Sequence, residues 1–249
     1  RALPALGEVI ALGRQELDLA SSDAIRRAVR DTKPDVIVNA AAYTMVDRAE
    51  SEPELAAAVN GTAPGILAEE AQRIGAFLVH YSTDYVFDGT KNTPYTEDDT
   101  PNPLNAYGRS KLAGENAIRA SGVSHYIFRT SWVYAAHGHN FLNTILRLAR
   151  ERRELKIVDD QTGAPTWART IADITTQALE SEPHAGNGLY HLTAAGAVSW
   201  FGFARAILAE AKTRHPEIIV PQLIPITTGE YPQPARRPAN SRLNTTRLM

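Results

Sequence analysis

The chain has 249 residues, of which 43% are hydrophobic and 22% are charged, with a formal net charge of −2 and no cysteine. This composition predicts a folded chain with a sizeable core, and the lack of cysteine excludes disulfides, cysteine nucleophiles and iron–sulfur clusters. No long block of one charge sign is present, so we expect neither nucleic acid nor a membrane as partner. The N-terminal segment does not have the layout of a signal peptide, and we expect a cytoplasmic protein.

The first half of the chain alternates between segments typical of strands and of helices. In chain order we predict a strand at 8–12, a helix at 21–30, a strand at 35–39, a helix at 54–74, a strand at 76–86, a helix at 105–120 and a strand at 125–134. Parallel strands need such crossovers, and helices on both faces bury both sides of the sheet. The alternation therefore predicts an α/β fold with a doubly wound parallel sheet.

The second half follows a looser pattern. We predict helices at 141–153, 168–181 and 200–212, strands at 155–158 and 189–192, and a tail rich in proline and arginine from Pro221 onward. The tail is typical of loops and short strands. We expect it to form a small C-terminal lobe over the carboxyl ends of the strands, where the ligands of open α/β folds bind.

Hydroxyl and amine side chains follow the third predicted strand. Thr83 stands at its end, and Tyr107 and Lys111 open the next helix. Residues four apart share one helix face, so Tyr107 and Lys111 can address one ligand. A tyrosine transfers protons at neutral pH when a cation stabilises its phenolate, and Lys111 is placed to lower the pKa in this way. Thr83 can donate to the same substrate oxygen, where negative charge develops as hydride reaches a carbonyl.

The glycine-rich turn of dinucleotide-binding folds, GxGxxG or GxxGxxG, does not occur in this sequence. Such folds place it between the first strand and the first helix, where backbone amides approach the pyrophosphate. Arg1 instead stands where the tail of that helix would be. We therefore expect roughly 15 to 20 further residues before Arg1, and a final helix of roughly 30 residues with its loops after Met249.

Seven short sequence stretches, taken together and in their order along the chain, indicate a protein family. They are NAAAYT at 39–44, VDRAES at 46–51, STDYVFDG at 82–89, NAYGRSKLAGE at 105–115, FRTSWVY at 128–134, DDQTGAPT at 159–166 and RRPANSRL at 236–243. Together they resemble the dTDP-4-dehydrorhamnose reductases, a family of extended short-chain dehydrogenases/reductases. The resemblance implies a Rossmann-like fold, with a dinucleotide-binding domain at 1–140 and 155–195 and a substrate-binding lobe at 141–154 and 196–249.

The resemblance also implies a reaction and its residues. The reaction is reduction of the 4-keto group of dTDP-4-dehydro-L-rhamnose to give dTDP-L-rhamnose, with Thr83, Tyr107 and Lys111 as the catalytic trio. In those roles Tyr107 protonates the keto oxygen, and Lys111 also holds the nicotinamide ribose. The implied cofactor contacts are Asp18, Leu19, Ala40, Ala41, Ala42, Tyr43, Thr44, Tyr107 and Lys111. The implied substrate contacts are Val46, Thr83, Asp84, Trp132 and Arg237, whose fork suits a diphosphate oxygen.

Arg14 bears on the choice of cofactor, because it follows the predicted strand at 8–12. In this fold an acidic residue there favours the free ribose hydroxyls of NAD, whereas an arginine accommodates the extra phosphate of NADP. We expect NADPH, with NADH also used. The resemblance further implies a homodimer and allows a Mg²⁺ ion, but the sequence has no recognisable ligand spacing, and we predict no metal residues.

Two alternatives stay open at this point. A regulatory nucleotide-binding subunit, similar to the β subunit of methionine adenosyltransferase, would tolerate loss of the catalytic trio, which is intact here. Sugar-nucleotide dehydratases and epimerases resemble the same layout. The dehydratases place Asp-Glu after the threonine, whereas this chain has Asp84 and Tyr85, so elimination would lack its second acid. The residues favour simple ketone reduction.

Overall fold

The main sheet has four parallel strands. The computed structural model describes residues 2–180 and 187–249. Within these ranges the sheet has the spatial order β1 (Val36–Asn39), β2 (Phe77–Thr83), β3 (His125–Thr130) and β8 (Gly188–His191). Because all four strands are parallel, their carboxyl ends meet at one edge. The predicted doubly wound α/β fold is confirmed.

Helices cover both faces of this sheet. The described α-helices are α1 (Ser22–Thr32), α2 (Val46–Ala49), α3 (Pro53–Ala57), α4 (Ala63–Ile74), α5 (Ala106–Ser121), α6 (Phe141–Glu151), α7 (Ala168–Glu180) and α8 (Trp200–Arg214). Leu78 and Ile127 project from the sheet into a core shared with α1, α4 and α5. Val79 and Phe128 project to the other face, against Ile171 of α7. This alternation follows from the period of two in a strand.

The long helix predicted at 54–74 is one continuous helical path with an irregular turn. Residues Ala58–Thr62 form a π-helical turn between α3 and α4. Pro64 lies at the start of α4. In a regular helix its ring would clash with the carbonyl group four residues earlier, and proline has no N–H to donate to that carbonyl. A wider turn relieves that clash, and π-turns often occur at functional sites.

A smaller layer lies beside the sheet. Its strands β5 (Glu154–Val158) and β10 (Gln222–Ile226) pair with each other in parallel. Next to them α6 and α8 bury a core of their own, which includes Ile145, Phe203 and Leu208. The short strands β4 (Val133–Tyr134), β6 (Thr162–Gly163), β7 (Thr166–Trp167) and β9 (Val198–Ser199) make two further pairs. In the tail, Leu243 forms an isolated parallel bridge with Tyr95.

The strand predicted at 8–12 is wrong. Residues Glu8–Leu12 have no regular secondary structure, and Val9, Ile10 and Leu12 are 45%, 57% and 45% exposed. The run is apolar enough for a strand, but a strand also needs a neighbour for its backbone groups. No strand among the described residues hydrogen-bonds to it.

Other boundaries differ less. The strand predicted at 76–86 ends at Thr83, because the Thr83 hydroxyl accepts the Tyr85 N–H and starts a 3₁₀ turn at Asp84–Val86. The strand predicted at 125–134 ends at Thr130. The helix predicted at 168–181 is described up to Glu180, and position 181 lies outside the described residues. Within the described ranges, no helix is long and apolar enough to span a membrane.

Candidate active site

The three residues predicted to be catalytic come together at the carboxyl edge of the sheet. Thr83 ends β2 and is 5% exposed, and Tyr107 and Lys111 lie one turn apart on α5. The Asn105 side chain caps that helix by accepting the Gly108 N–H at 2.8 Å. The cap fixes where the helix begins and therefore where Tyr107 lies. The Thr83 hydroxyl lies close enough to the Tyr107 phenol to act on its pKa. Two hydroxyl groups therefore face one point at the edge.

The acidity of Tyr107 differs from the sequence expectation. Burial raises the pKa of Tyr107 to about 12, and its interaction with Thr83 opposes this increase only in part. The expectation that Lys111 lowers this pKa is therefore wrong for the structure, because the Lys111 ammonium points to the Tyr81 carbonyl and to His80 instead. Tyr107 holds its proton at neutral pH. A phenol that must donate a proton to a reduced carbonyl needs that state.

Lys111 is deeply buried, at 1% exposure. Its Nζ lies 2.6 Å from the Tyr81 carbonyl oxygen and 3.1 Å from His80 Nε2. Burial lowers the pKa of Lys111 to about 8, while the charge of Glu115 acts in the opposite direction. The lysine therefore changes charge close to neutral pH.

Asp84 adds an acid next to the trio. It is 3% exposed, and its Oδ1 accepts the Thr83 hydroxyl at 3.0 Å. Burial raises the pKa of the Asp84 carboxyl to about 6, while interactions with Ser241 and Thr83 act in the opposite direction and lower it. Its Oδ2 has no hydrogen-bond partner among the described residues. A polar atom of this kind at a site edge is suited to a ligand hydroxyl.

Seven of the ten predicted cofactor residues line one cavity of about 950 Å³ beside β1, whereas Thr44, Tyr107 and Lys111 do not. Its inner part is apolar and includes Val29 and Leu67. The predicted residues that line it are Arg14, Asp18, Leu19, Ala40, Ala41, Ala42 and Tyr43. Arg14 is exposed at the outer part of this cavity, and the three alanines follow β1 directly. Small side chains there leave the backbone open to a ligand.

The remaining cofactor predictions have local contacts. Asp18 Oδ1 accepts the Ala20 N–H at 3.0 Å, which is a turn contact, and Leu19 packs against the core below α1. The Tyr43 hydroxyl donates to Glu52 Oε2 at 2.6 Å, and Tyr43 packs in one apolar cluster with Tyr107. Thr44 is exposed and accepts the Val46 N–H at the start of α2.

Asn60, which was not identified from the sequence, fixes the loop at 40–45 between β1 and α2, called the cofactor loop below. Asn60 is 1% exposed in the π-helical turn, and its side chain takes the Tyr43 N–H at 2.8 Å and donates to the Tyr43 carbonyl at 2.9 Å. The same amide donates to Ser110 Oγ at 3.0 Å. Asn60 therefore joins the cofactor loop to the catalytic helix. Its signal in the sequence is an asparagine in an otherwise apolar Ala-rich helix.

A second missed group supports the trio from below. Glu115 of α5 and Arg129 of β3 form a bidentate ion pair with distances of 2.9 and 2.6 Å, and both side chains are buried. Ser82, which precedes Thr83, donates to the same carboxylate. The pair fixes α5 to β2 and β3, and strand periodicity alone gives no sign of a charged residue there.

The predicted substrate residues divide into two places. Val46 begins α2, and the next residue, Asp47, holds Arg237 with distances of 3.0 and 2.6 Å. Arg237 also hydrogen-bonds to Tyr85, next to Asp84. The structure therefore brings Arg237 to the catalytic edge, but with its guanidinium paired to a carboxylate.

Trp132 is the other predicted substrate contact. It has a left-handed backbone with φ of 48°, and its ring stacks on Trp200 of α8 with 3.5 Å between centroids. Gly163 lies against the other side, where a Cβ would come within 2.5 Å of the ring. The sequence predicted that this strand continues to residue 134. The left-handed backbone at Trp132 explains why β3 ends earlier, at Thr130.

No metal residues were predicted. Groups of three or more metal-binding side chains are not found within the ranges that the structure describes.

Comparisons with known proteins identify the family. A family model described as RmlD substrate binding domain matches residues 1–249. The chain belongs to this family. A dTDP-4-dehydrorhamnose reductase of Burkholderia thailandensis is 54% identical over 256 residues, which cover 100% of this chain and 86% of that protein. One from Escherichia coli (strain K12) is 46% identical over 252 residues, covering 98% of this chain and 84% of that protein.

A solved structure gives the same result. The dTDP-4-dehydrorhamnose reductase from Bacillus anthracis, in complex with NADP, matches with a TM-score of 0.92 and 34% identity. The match covers 98% of this chain and 84% of that one. The resemblance drawn from the seven stretches is confirmed. The regulatory-subunit alternative is not favoured, because these relatives are named as reductases.

Proposed function

We propose that this chain reduces the 4-keto group of dTDP-4-dehydro-L-rhamnose to dTDP-L-rhamnose with NAD(P)H. The names of its relatives support the substrate and the reaction. The observation that carries the proposal is that the Thr83 and Tyr107 hydroxyls meet at the end of β2, with Lys111 one helical turn away. Ketone reduction needs one hydride at carbon and one proton at oxygen, and this pair supplies the proton.

Tyr107 is the proton donor of the proposal. Its phenol is protonated over the whole neutral range, because burial raises its pKa to about 12. Thr83 shares the keto oxygen with Tyr107. The Thr83 hydroxyl now donates to Asp84 Oδ1, and it turns from that carboxyl to the substrate oxygen when charge develops there.

The proposed dinucleotide contacts lie beyond the carboxyl end of β1 and at Arg14. A bound NADPH supplies the hydride. Arg14 there offers a fork suited to the 2′-phosphate, and the backbone at Ala40, Ala41 and Ala42 is open to close approach. Asp18, Leu19, Tyr43 and Thr44 complete the proposed contacts. The NADP bound by the Bacillus anthracis relative supports this preference, with NADH also accepted.

The substrate contacts of the proposal are Val46, Thr83, Asp84, Trp132 and Arg237. Arg237 binds the diphosphate by exchanging its carboxylate partner Asp47 for phosphate oxygens, which accept the same two N–H groups. Asp84 Oδ2 is suited to a sugar hydroxyl, because it is buried beside Thr83. Trp132 offers a flat ring to the sugar.

The proposal includes an organisation and a setting. Residues 1–140 and 155–195 form the dinucleotide-binding domain, and residues 141–154 and 196–249 form the substrate lobe. The separate core of α6 and α8 supports the lobe, whereas the pairing of β5 with β10 favours moving residues 154–158 into it. The family resemblance supports a homodimer, and the lack of cysteine favours the cytoplasm. Sedimentation equilibrium tests the dimer.

The test follows NADPH and NADH consumption separately with dTDP-4-dehydro-L-rhamnose. The full chain should consume both and form dTDP-L-rhamnose. Tyr107→Phe should lower kcat by about 10²- to 10⁴-fold, because only the proton donor is lost. The Kd for NADPH should stay within about twofold of wild type in that variant.

The matched control is Tyr231→Phe, which removes a hydroxyl from a tyrosine that is 55% exposed. It should leave kcat unchanged. Normal turnover by Tyr107→Phe would contradict the mechanism. Tight NADPH binding without any consumption by the wild-type chain would contradict the function.

A further inference from the structure

A buried histidine stands between the cofactor loop and the catalytic lysine. His80 lies in the middle of β2 and is 1% exposed. Its Nε2 is 3.1 Å from Lys111 Nζ, and its Nδ1 is 3.1 Å from the side-chain amide nitrogen of Asn39, Nδ2. Asn39 is the direct partner of His80 across the β1–β2 register, and it precedes the cofactor loop by one residue.

The position of Lys111 Nζ is fixed by two acceptors. The Tyr81 carbonyl oxygen lies 2.6 Å away, and His80 Nε2 lies 3.1 Å away. An ammonium has three hydrogens in a tetrahedral arrangement. With two of them directed to β2, the direction of the third is determined, and it remains for a ligand.

The proton arrangement of His80 follows from the same contacts. An ammonium can only donate, so Nε2 must present its lone pair to Lys111. A neutral ring then carries its hydrogen at Nδ1, which requires an acceptor. The Asn39 amide nitrogen stands at that position, so the amide group must be reversed to present its oxygen to Nδ1. Burial, and next the charge of Lys111, keep the pKa of His80 well below its usual value. The other charge that acts on Lys111 is Glu115, which is itself paired with Arg129.

We propose that His80 is a positioning residue for the reductase reaction, which holds Lys111 through the Nε2 lone pair while Asn39 fixes the ring tautomer. This inference rests on the proposed function. It gives Asn39 and His80 a joint role, in which the end of β1 sets the direction of a catalytic group on α5. A substitution that keeps an acceptor at Nε2 should keep the role, and one that removes it should not.

The test compares His80→Gln with His80→Leu in the full chain. We expect His80→Leu to lower kcat about 10- to 100-fold, as the loss of a hydrogen bond to a buried charged group does, with a smaller change in KM. We expect His80→Gln, which retains a carbonyl acceptor, to recover most of kcat. Without an acceptor the ammonium is less stable, so the upper limb of the kcat pH profile should move to lower pH in His80→Leu alone.

The control is His125→Leu. His125 is also buried, but it lies at the start of β3 and its ring contacts the Val123 backbone. Loss of packing alone would lower thermal stability in both leucine variants and leave the pH limb in place. An unchanged pH limb in His80→Leu would therefore overturn the proposal.

A second measurement does not depend on turnover. In ¹⁵N-histidine-labelled protein at pH 6 to 7, where Lys111 is an ammonium, His80 should show the neutral Nδ1–H tautomer. The Nε2–H tautomer would overturn the proposal even if the chain is an active reductase. If the wild-type chain reduces nothing, the proposed function fails while the tautomer result still reports on Lys111.

Discussion

The catalytic edge and the cofactor edge of this protein are built differently. At the end of β2, Thr83, Asp84 and Lys111 are each at least 91% buried and each contact a polar partner. On the outer side of β1, Glu8–Leu12 and Arg14 are exposed and line a broad cavity. The residues proposed for proton transfer are therefore held by the described fold, as precise placement requires. The residues proposed for the cofactor are more exposed within the described chain.

The largest expected effect tests how firmly the catalytic edge is fixed. Glu115→Leu leaves Arg129 charged and buried without its partner, so the free energy of unfolding should fall by about 3–5 kcal/mol in urea titrations. Asp173→Leu is the control, because it breaks the exposed Arg169–Asp173 pair and should change stability by about 1 kcal/mol or less. If Glu115→Leu and Asp173→Leu lowered the free energy of unfolding equally, the buried pair would be no more important to stability than the exposed pair. The double variant with Arg129→Met should regain most of the loss.

A smaller effect is expected at the junction of the edge with the lobe. Gly163→Ala places a Cβ 2.5 Å from the Trp132 ring, which cannot move away because Trp200 stacks on it. We expect about 1–3 kcal/mol of destabilisation and a higher KM for the nucleotide sugar. Gly61→Ala, whose Cβ would have its nearest neighbour at 3.4 Å, should leave both values near wild type. If Gly163→Ala has the wild-type KM, Trp132 does not contact the substrate as proposed.

The smallest effect on stability belongs to the cofactor edge. Arg14→Glu should weaken NADPH binding about 10-fold and NADH binding less, because the acid repels the extra phosphate. The free energy of unfolding should change by no more than about 0.5 kcal/mol, since Arg14 is exposed. Isothermal titration with each cofactor gives the ratio. An unchanged ratio would remove Arg14 from the selection of cofactor.

The sequence predicted those parts of the fold that depend on local pattern. The strands β1, β2 and β3 are apolar runs between helix signals, and the spacing of Tyr107 and Lys111 places them on one face of α5. The run at Glu8–Leu12 has the same composition and is not a strand, because strand formation depends on a hydrogen-bonding neighbour as well as on local preference.

The parts that could not be predicted are the buried polar contacts. His80, Asn60 and Arg129 stand in apolar segments, and their partners lie 14 to 50 residues away along the chain. Periodicity identifies the buried positions but not which of them can hold a charge, since that depends on which side chain the fold places opposite. The left-handed backbone at Trp132 was not predicted for a related reason, because the ring's neighbours Gly163 and Trp200 lie far along the chain.

The stacked indoles provide the molecule with an optical reporter. Of its three tryptophans, Trp132 follows the main sheet and Trp200 begins α8 of the lobe, at 3.5 Å and 9° between planes. At that separation the transitions of the two rings couple, so the pair should give a near-ultraviolet circular dichroism signal that neither ring gives alone. Trp167→Phe removes the remaining tryptophan, which is 48% exposed, and leaves fluorescence from the junction only. Any movement of the lobe against the sheet during substrate binding then becomes visible without an added label.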